Sequence, residues 1–368
     1  MVKFLDLKAI NAPYIEEYKE RLASILESGW VLLGNHLSSF EAEFANYCGA
    51  RHCIGVANGL EAIRLILEAY KALGVMAEGD EVIVPSNTYI ATILGIEQAG
   101  LKPVLVEPDV RTYNLDPNLV EMAVTSRTKA IFTVHLYGQL SDMSGLKAVA
   151  DEHVLLLLDD AAQSHGAIDE MGRVGSSSEA TAFSFYPGKN LGAIGDGGGI
   201  TTSNDELART IYALRNYGSE KKYHNKFKGW NSRLDELQAS FLSAKLKNLD
   251  SDNDRRREAA KRYLAEIVNP HVSLPYYNGT ENHVFHLFVV RVEDRDKFVQ
   301  HLTNEGVQTL IHYPIPPHHQ EAYAEWKDET FPISEEIHRT IVSLPISPVM
   351  PNEDIDQVIN AVNSYSVQ

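Results

Sequence analysis

A lysine in a glycine-rich segment is the first residue that could do chemistry. Residues 181–190, TAFSFYPGKN, are a short apolar run that ends near Lys189, and glycines follow at nearly every second position. Pro187 and Gly188 break regular structure just before the lysine, and glycine lets a backbone approach a ligand closely. A phosphate-binding P-loop is excluded, because the earlier glycine and the following Ser or Thr are missing. A solvated lysine in a turn and a lysine held over a cleft both fit this segment.

A pair of carboxylates follows the preceding apolar run. Residues 154–158, VLLLL, predict a buried parallel strand, and Asp159 and Asp160 come directly after it. Because open α/β sheets bind ligands beyond the carboxyl ends of their strands, Asp160 and Lys189 could face one cleft. Pyridoxal phosphate chemistry needs such a pair, a lysine that bonds the cofactor's aldehyde and an aspartate on its pyridinium nitrogen. Asp159 is expected to point to the opposite face of the sheet.

Further motifs make the chain resemble a known family. They lie in order along nearly the whole chain: EVIVPSNTY (81–89), VHLYGQ (134–139), LDDAAQ (158–163), FSFYPGKNLG (183–192) and GWNSRLDELQA (229–239). Together they resemble sugar aminotransferases of the DegT/DnrJ/EryC1/StrS family. Some relatives replace the lysine with histidine and catalyse dehydration, so Lys189 favours transamination over a dehydratase.

The resemblance implies an α/β fold of the aspartate aminotransferase type, fold type I among pyridoxal phosphate enzymes. A large cofactor-binding domain with a mostly parallel central sheet is expected over residues 1–240. A smaller α+β domain is expected over residues 241–368. The alternation of strand-like and helical stretches independently favours a mostly parallel sheet.

The resemblance also assigns residues to the cofactor. Lys189 and Asp160 are the expected catalytic residues. Gln163 is expected to hydrogen-bond the ring hydroxyl and Ser184 the phosphate. Tyr89 is expected to stack on the ring, with ordinary core packing as the alternative.

The start of one predicted helix suits a phosphate group. A short strand ends at Ala57, Asn58 is a good N-cap, and the helix begins at Gly59. Free N–H groups and a positive dipole end favour an anion there. Relatives usually have Gly-Thr at this point, so Leu60 would contribute its backbone N–H. The family's Gly-Trp-Asn motif places Asn231 at the phosphate of the neighbouring subunit, which implies a homodimer with shared active sites.

The resemblance is strongest to the branch that aminates carbon 3. Its expected reaction uses L-glutamate and a dTDP-linked 3-keto-6-deoxyhexose, in the galactose configuration, and gives dTDP-3-amino-3,6-dideoxygalactose for an O-antigen, an S-layer or an antibiotic. The glucose epimer and C4 amination of another nucleotide sugar stay open. The alternative of a different class is a non-catalytic regulator that binds the cofactor.

Residues that bind the sugar nucleotide are harder to assign. The basic cluster at 221–228 is either a solvated loop or an attractor for a nucleotide diphosphate. The expected substrate-binding residues are Tyr186, Tyr217, Lys222, Tyr223, His312 and Tyr313.

The histidines do not suggest a metal site at this stage. His312, His318 and His319 cluster in sequence, but no neighbouring carboxylate or cysteine completes a ligand set. No metal is therefore expected. His135 follows a predicted strand and is expected to be structural.

Charge and composition exclude several classes of protein. The formal net charge of −17 argues against nonspecific nucleic-acid binding, and Arg255–Arg257 is expected to be a solvated helix face. Two cysteines, Cys48 and Cys53, are too few for a disulfide framework. The first residues lack a signal-segment pattern, and no apolar run approaches a membrane span. A cytoplasmic protein without a membrane partner is expected.

Overall fold

The structure, a computed structural model, describes residues 1–367. Gln368, the last residue of the predicted small domain, lies outside them. The strands are β1 His52–Val56, β2 Glu81–Pro85, β3 Lys102–Val106, β4 Thr128–Val134, β5 Leu156–Asp160, β6 Ile168–Asp169, β7 Gly172–Arg173, β8 Ala180–Ser184, β9 Gly198–Thr202, β10 Ser219–Lys221, β11 His224–Asn225, β12 Phe288–Arg291 and β13 Ile341–Leu344.

The central sheet is mostly parallel, as predicted. Within the described residues it has seven strands in the order β1-β9-β8-β5-β4-β2-β3. β9 is antiparallel to both of its neighbours, and the other pairs are parallel. The carboxyl ends of β5 and β8 therefore lie side by side at one edge of the sheet.

Helices alternate with these strands. They are α1 Leu7–Asn11, α2 Ile15–Ser28, α3 Asn35–Cys48, α4 Gly59–Ala72, α5 Ile90–Gln98, α6 Pro117–Ala123, α7 Met143–His153, α8 Asp205–Leu214, α9 Glu236–Leu246, α10 Leu249–Glu266, α11 Arg295–Asn304, α12 Pro332–Thr340 and α13 Asn352–Ser364. Short 3-10 turns cover Ala12–Tyr14, Leu136–Gly138, Pro317–His319 and Glu321–Trp326. Asn58 caps α4 as predicted, because its side chain accepts a hydrogen bond from the Glu61 N–H.

The apolar strands are buried on both faces. In β4 and β5, Phe132 and Leu158 pack into the cluster that contains α4 and α5 residues, whereas Ile131 and Leu157 pack into the cluster of α6 and α7. This explains why β5 is a continuous apolar run in sequence. The strand begins at Leu156, two residues later than predicted, because Val154 is the left-handed cap of α7 with φ 55°.

A separate apolar cluster surrounds the antiparallel pair β12–β13. Helices α10, α11 and α13 contribute to it, and so does Val2 at the other end of the chain. The predicted domain boundary after residue 240 falls inside α9, and the division into two domains stays a prediction. Among residues 1–367, no helix combines the length and the apolar content needed to cross a membrane.

Candidate active site

Lys189 lies in a tight turn that follows β8. Its N–H donates to the Tyr186 carbonyl at 2.9 Å. A Cβ at Gly192 would lie 2.3 Å from the Pro187 carbonyl oxygen, so the turn closes too tightly for any other residue. Lys245 donates from its buried amine to the Gly192 carbonyl at 2.7 Å. The turn that holds Lys189 is therefore fixed by its own backbone and by a second lysine.

The surroundings of Lys189 favour its neutral form. Burial lowers the pKa of the Lys189 amine to about 8, although the nearby charge of Asp160 works in the opposite direction. At pH 7 about a tenth of this amine is unprotonated, far more than of an ordinary surface lysine. A neutral amine can act as a nucleophile and accept a proton.

Asp160 is held in one orientation at the end of β5. It is 7% exposed, and its carboxylate accepts hydrogen bonds from the Ala162 N–H at 3.0 Å and the Thr92 hydroxyl at 2.9 Å. Burial raises the pKa of the Asp160 carboxyl, while these two donors and the charge on Lys189 offset part of the rise. The sheet thus presents a rigid carboxylate beside the lysine turn.

Asp159 faces the other side of the sheet, as predicted. It is fully buried and accepts hydrogen bonds from Ser178, Thr181 and His135. His135 accepts the Ser141 N–H at its Nδ1, so its Nε2–H is the donor to Asp159. This network confirms His135 as a satisfied structural histidine.

Gln163, Tyr89 and Tyr313 form one group next to these residues. The side chain of Gln163 accepts the Tyr137 N–H at 2.7 Å and donates to the Tyr313 hydroxyl at 3.2 Å. The rings of Tyr313 and Tyr89 are 4.8 Å apart at 33°. Tyr89 is 50% exposed, which excludes the alternative of ordinary core packing.

Ser184 lies against the first residue of α4. A Cβ at Gly59 would be 2.7 Å from the Ser184 Cβ, so glycine is needed for this approach. The first N–H groups of a helix have no carbonyl partner within the helix. The Gly59 and Leu60 N–H groups and the Ser184 hydroxyl therefore converge on a cradle for an anion.

These features agree with the comparison to known proteins. The family model of the DegT/DnrJ/EryC1/StrS aminotransferases matches residues 14–363. The chain belongs to the DegT/DnrJ/EryC1/StrS aminotransferase family. It is an aminotransferase, as the retained lysine predicted.

Several relatives in the family match over the whole length. The chain is 58% identical over 365 residues, 99% of both chains, to dTDP-3-amino-3,6-dideoxy-alpha-D-galactopyranose transaminase of Aneurinibacillus thermoaerophilus. It is 47% identical to dTDP-3-amino-3,4,6-trideoxy-alpha-D-glucose transaminase of Streptomyces venezuelae, over 99% of this chain and 96% of that one. The erythromycin biosynthesis sensory transduction protein EryC1 of Saccharopolyspora erythraea is 48% identical, over 97% and 98%.

Solved structures of the family share the fold. DesV of S. venezuelae superposes with a TM-score of 0.94 at 47% identity, covering 98% of this chain and 97% of that one. The ntda protein of Bacillus subtilis, solved with bound PMP, gives 0.90 at 31% identity, covering 98% and 84%.

Pyridoxal phosphate is the cofactor of the family, and the residues of this chain fit it. The Gly59–Ser184 contact leaves a cradle that suits a phosphate. Asp160 offers a fixed carboxylate for a ring nitrogen. Lys189 offers an amine of lowered pKa for the aldehyde. The individual cofactor contacts of Gly59, Leu60, Tyr89, Gln163 and Ser184 stay predictions.

Two of the predicted substrate residues, His312 and Tyr313, lie beside the expected cofactor-binding residues. Tyr313 contacts Gln163 directly, and His312 precedes it in the chain. His312 is held by Ser343, with 2.8 Å between Nδ1 and Oγ, and its carbonyl accepts the Tyr137 hydroxyl at 2.6 Å. Burial lowers the pKa of His312 to about 4, so its ring is neutral at physiological pH.

The other predicted substrate residues lie on exposed segments. Tyr186 and Tyr217 are 58% and 50% exposed, and Tyr223 is 87% exposed at the tip of the β10–β11 hairpin. Lys222 lies over the Tyr223 ring at 5.2 Å. Asn231 is also exposed and forms an isolated antiparallel β-bridge with Asn216. Their roles stay predictions, and each of these side chains is open to a ligand or a second chain.

Three features escaped the sequence analysis. Thr92 orients Asp160, and Lys245 holds the turn that contains Lys189. Neither residue could be identified from sequence, because a single Thr or Lys inside an apolar helix belongs to no recognisable motif. A carboxylate, Glu335, does lie beside His318 and His319, so the stated reason for excluding a metal was wrong. Of the expected solvated face Arg255–Arg257, only Arg255 is exposed, whereas Arg256 and Arg257 are buried, at 2% and 7% exposed.

Proposed function

We propose that the protein transfers the amino group of L-glutamate to the C3 keto group of a dTDP-linked 3-keto-6-deoxyhexose. The proposed sugar has the galactose configuration, and the product is dTDP-3-amino-3,6-dideoxygalactose. The observation that carries the reaction type is the pairing of Lys189, an amine of lowered pKa, with Asp160, a fixed carboxylate at the same sheet edge. The 58% identical transaminase of A. thermoaerophilus supports the choice of sugar.

Each residue of the site would have a separate role in the reaction. When bound, pyridoxal phosphate supplies the electron sink for transamination. Asp160 would keep the ring nitrogen protonated, because an opposite charge favours the charged form. Lys189 would carry a proton between cofactor and substrate carbons, since its amine changes protonation near neutral pH. Gln163 and Tyr89 would fix the ring's position and tilt.

A homodimer would complete the site. Along α2 and the segment after it, large apolar side chains are exposed: Leu22 at 40%, Leu26 at 66%, Trp30 at 63% and Val31 at 52%. Such a surface favours contact with another protein chain. Asn231 and the β10–β11 hairpin are exposed as well, so a second copy could bring them to its neighbour's site.

The dimer can be tested by sedimentation. Leu26→Glu should shift the protein toward monomer and reduce turnover together, because a buried charge opposes association. Ser24→Glu introduces the same charge at an exposed position of the same helix and should leave both unchanged. Full activity of a monomeric variant would rule out shared sites.

The sugar can be identified from the cofactor's own visible absorbance. The purified holoenzyme is first treated with L-glutamate, which should convert the cofactor to its aminated form. After removal of glutamate, the galactose-configured 3-keto sugar, its glucose epimer and a 4-keto nucleotide sugar are added separately. Recovery of the original absorbance with the galactose epimer alone supports the proposal.

Other outcomes of this experiment separate the alternatives. Recovery with the glucose epimer or with the 4-keto sugar would replace the proposed substrate. Conversion by glutamate without recovery would leave an aminotransferase of another substrate. A protein that binds the cofactor but ignores glutamate would fit the regulator.

The proposed location is the cytoplasm. Among residues 1–367 both cysteines, Cys48 and Cys53, are free and buried. Unpaired thiols are typical of reducing compartments.

A further inference from the structure

Two histidines and a glutamate converge at the surface of α12. His318 and His319 end the 3-10 turn Pro317–His319, and Glu335 lies in the first turns of α12. Glu335 Oε1 is 3.2 Å from His318 Nε2 and 3.9 Å from His319 Nε2. We call these three residues the His-His-Glu cluster. All three potential ligand atoms lie within 4.8 Å of one another.

The spacing of these atoms matches a small divalent metal. Zinc binds imidazole nitrogen and carboxylate oxygen at about 2.0–2.2 Å in a tetrahedral arrangement, which puts neighbouring ligand atoms about 3.3–3.5 Å apart. The separations of 3.2 and 3.9 Å bracket this distance. For these two pairs an ion would need side-chain shifts of a few tenths of an ångström, and the third pair, the two imidazole nitrogens, lies within the 4.8 Å limit.

One histidine of the His-His-Glu cluster is buried, and the other two residues are partly exposed to solvent. The side chain of His318 is fully buried, whereas the side chains of His319 and Glu335 are 45% and 34% exposed. Glu335 Oε1 also accepts the Phe331 N–H at 3.0 Å, which fixes the carboxylate. An ion could enter from the exposed face, and water could supply a further ligand.

An ion at Nε2 needs the His318 tautomer that carries its proton on Nδ1. Without an ion, the Nε2–H of His318 can donate to Glu335. His318 Nδ1 is buried and has no hydrogen-bond partner within residues 1–367. Moving this proton to Nδ1 would leave the Nε2 lone pair for a metal, and the metal's bonds to His318 and Glu335 would replace the hydrogen bond between them.

We propose that the His-His-Glu cluster binds one divalent transition-metal ion of the zinc class. Two neutral imidazoles and one carboxylate are ligands that zinc prefers. The ion would join the segment 313–320 to α12. His338, in the same helix, already donates from Nδ1 to the Tyr313 carbonyl at 2.7 Å. The ion would thus reinforce the contact that positions Tyr313 near Gln163. This inference does not depend on the proposed function.

A second cluster provides a matched comparison. Glu121, Glu152 and His153 also bring potential ligand atoms within 4.8 Å, but all three residues are exposed. This cluster has a single imidazole and no buried member. It should bind the same ion far more weakly.

The test is calorimetric titration of Zn²⁺ into untagged holoenzyme that has been treated with a chelator and freed of glutamate. We expect one ion per chain with a Kd below about 10 µM. His319→Ala and Glu335→Gln should each weaken binding at least tenfold, while His153→Ala should match the wild type. Co²⁺ should give visible ligand-field bands that disappear in His319→Ala.

The outcomes decide the proposal. The His319 side chain is nearly half exposed, so its alanine variant should fold normally, as circular dichroism would verify. Wild-type affinity in both His319→Ala and Glu335→Gln would overturn the assignment, and so would the absence of binding at 100 µM Zn²⁺. Loss of binding in His153→Ala alone would move the site to the other cluster.

Discussion

The carboxylates of Asp159 and Asp160 are consecutive in the chain and face opposite sides of the central sheet. Asp160 accepts hydrogen bonds from Thr92 and Ala162 on the side of Lys189. Asp159 accepts from His135 and Thr181 on the other side. The alternation of side chains along a strand thus separates a carboxylate for chemistry from one for structure.

Asp160→Asn should abolish most of the turnover and leave the fold intact. An asparagine oxygen can still accept the Ala162 N–H, and its amide can donate to the Thr92 hydroxyl. The negative charge is lost, however, so a ring nitrogen beside it would no longer be kept protonated. We expect a loss of at least about 100-fold in kcat, in the range of removed general acid–base groups.

Asp159→Asn is the contrasting variant for this test. It disrupts a buried network away from Lys189, so it should lower the melting temperature more than Asp160→Asn does. Equal losses of kcat in the two variants would contradict the division of roles. Steady-state kinetics and thermal denaturation together measure both effects.

Lys189→Met should remove turnover and stabilise the cofactor-free protein. The pKa of the Lys189 amine is about 8 in the fold and about 10.4 in an unfolded chain. The protonated amine therefore destabilises the folded state. At about 1.36 kcal/mol per unit this amounts to roughly 3 kcal/mol of destabilisation at pH 7. Chemical denaturation of the cofactor-free wild type and variant measures the gain.

The stability that Lys189→Met gains over the wild type should decrease as the pH rises. The unfolded chain binds more protons than the folded one between pH 8 and 10.5, so the stability of the wild type rises across this window. The advantage of Lys189→Met should be full below pH 8 and disappear as the pH reaches 10.5. A gain that does not change over this range would show that charge at Lys189 is not its cause.

The reactivity of Lys189 provides an independent measure of the same pKa. In the cofactor-free protein, modification by an amine-specific reagent should accelerate about tenfold per pH unit up to about pH 8 and then level off. Peptide mass spectrometry can follow Lys189 separately from exposed lysines, whose rates should keep rising to about pH 10. In Asp160→Asn the plateau should begin at lower pH, because the carboxylate that raises this pKa is gone.

Gly59→Ala should weaken retention of the cofactor. The added methyl would lie 2.7 Å from the Ser184 Cβ, and one of the two segments must move. We expect the Kd for pyridoxal phosphate to rise at least about tenfold, which corresponds to about 1.4 kcal/mol. Equilibrium dialysis with absorbance detection measures it.

Gly188→Ala is the control for this substitution. Its added methyl would meet Leu5 Cδ2 at 3.5 Å, an ordinary contact, although the residue adjoins Lys189. Its cofactor Kd should stay within about twofold of the wild type, a change of roughly 0.4 kcal/mol. If Gly188→Ala weakened binding as much as Gly59→Ala, the cradle at Ser184 would not explain the effect.

The central part of the site could be predicted because its residues lie in continuous motifs at strand ends. Asp160 follows a buried apolar run, and Lys189 follows the next strand of the same sheet. Asn58 precedes a helix whose apolar face is regular, so its capping role was also visible. In each case a local pattern fixes both the element and the edge of the sheet on which the residue lies.

Residues brought together from distant segments could not be predicted in this way. Glu335 reaches His318 from a separate helix, and sequence spacing does not encode that contact. Arg256 lies in a strongly charged stretch of α10, yet its guanidinium is buried and donates hydrogen bonds to the carbonyls of Phe285 and Ile346. Charge density alone therefore gave the wrong burial for this arginine.

The place of Val2 sets an order on how the chain can fold during synthesis. Its N–H donates to the Gly306 carbonyl, and its side chain packs in the cluster that Tyr365 also enters. At about 5–20 residues per second, the ribosome needs roughly 20 seconds to more than a minute to make the intervening chain. Val2 thus leaves the ribosome long before Gly306 and Tyr365 are made, so it reaches its final neighbours late in folding.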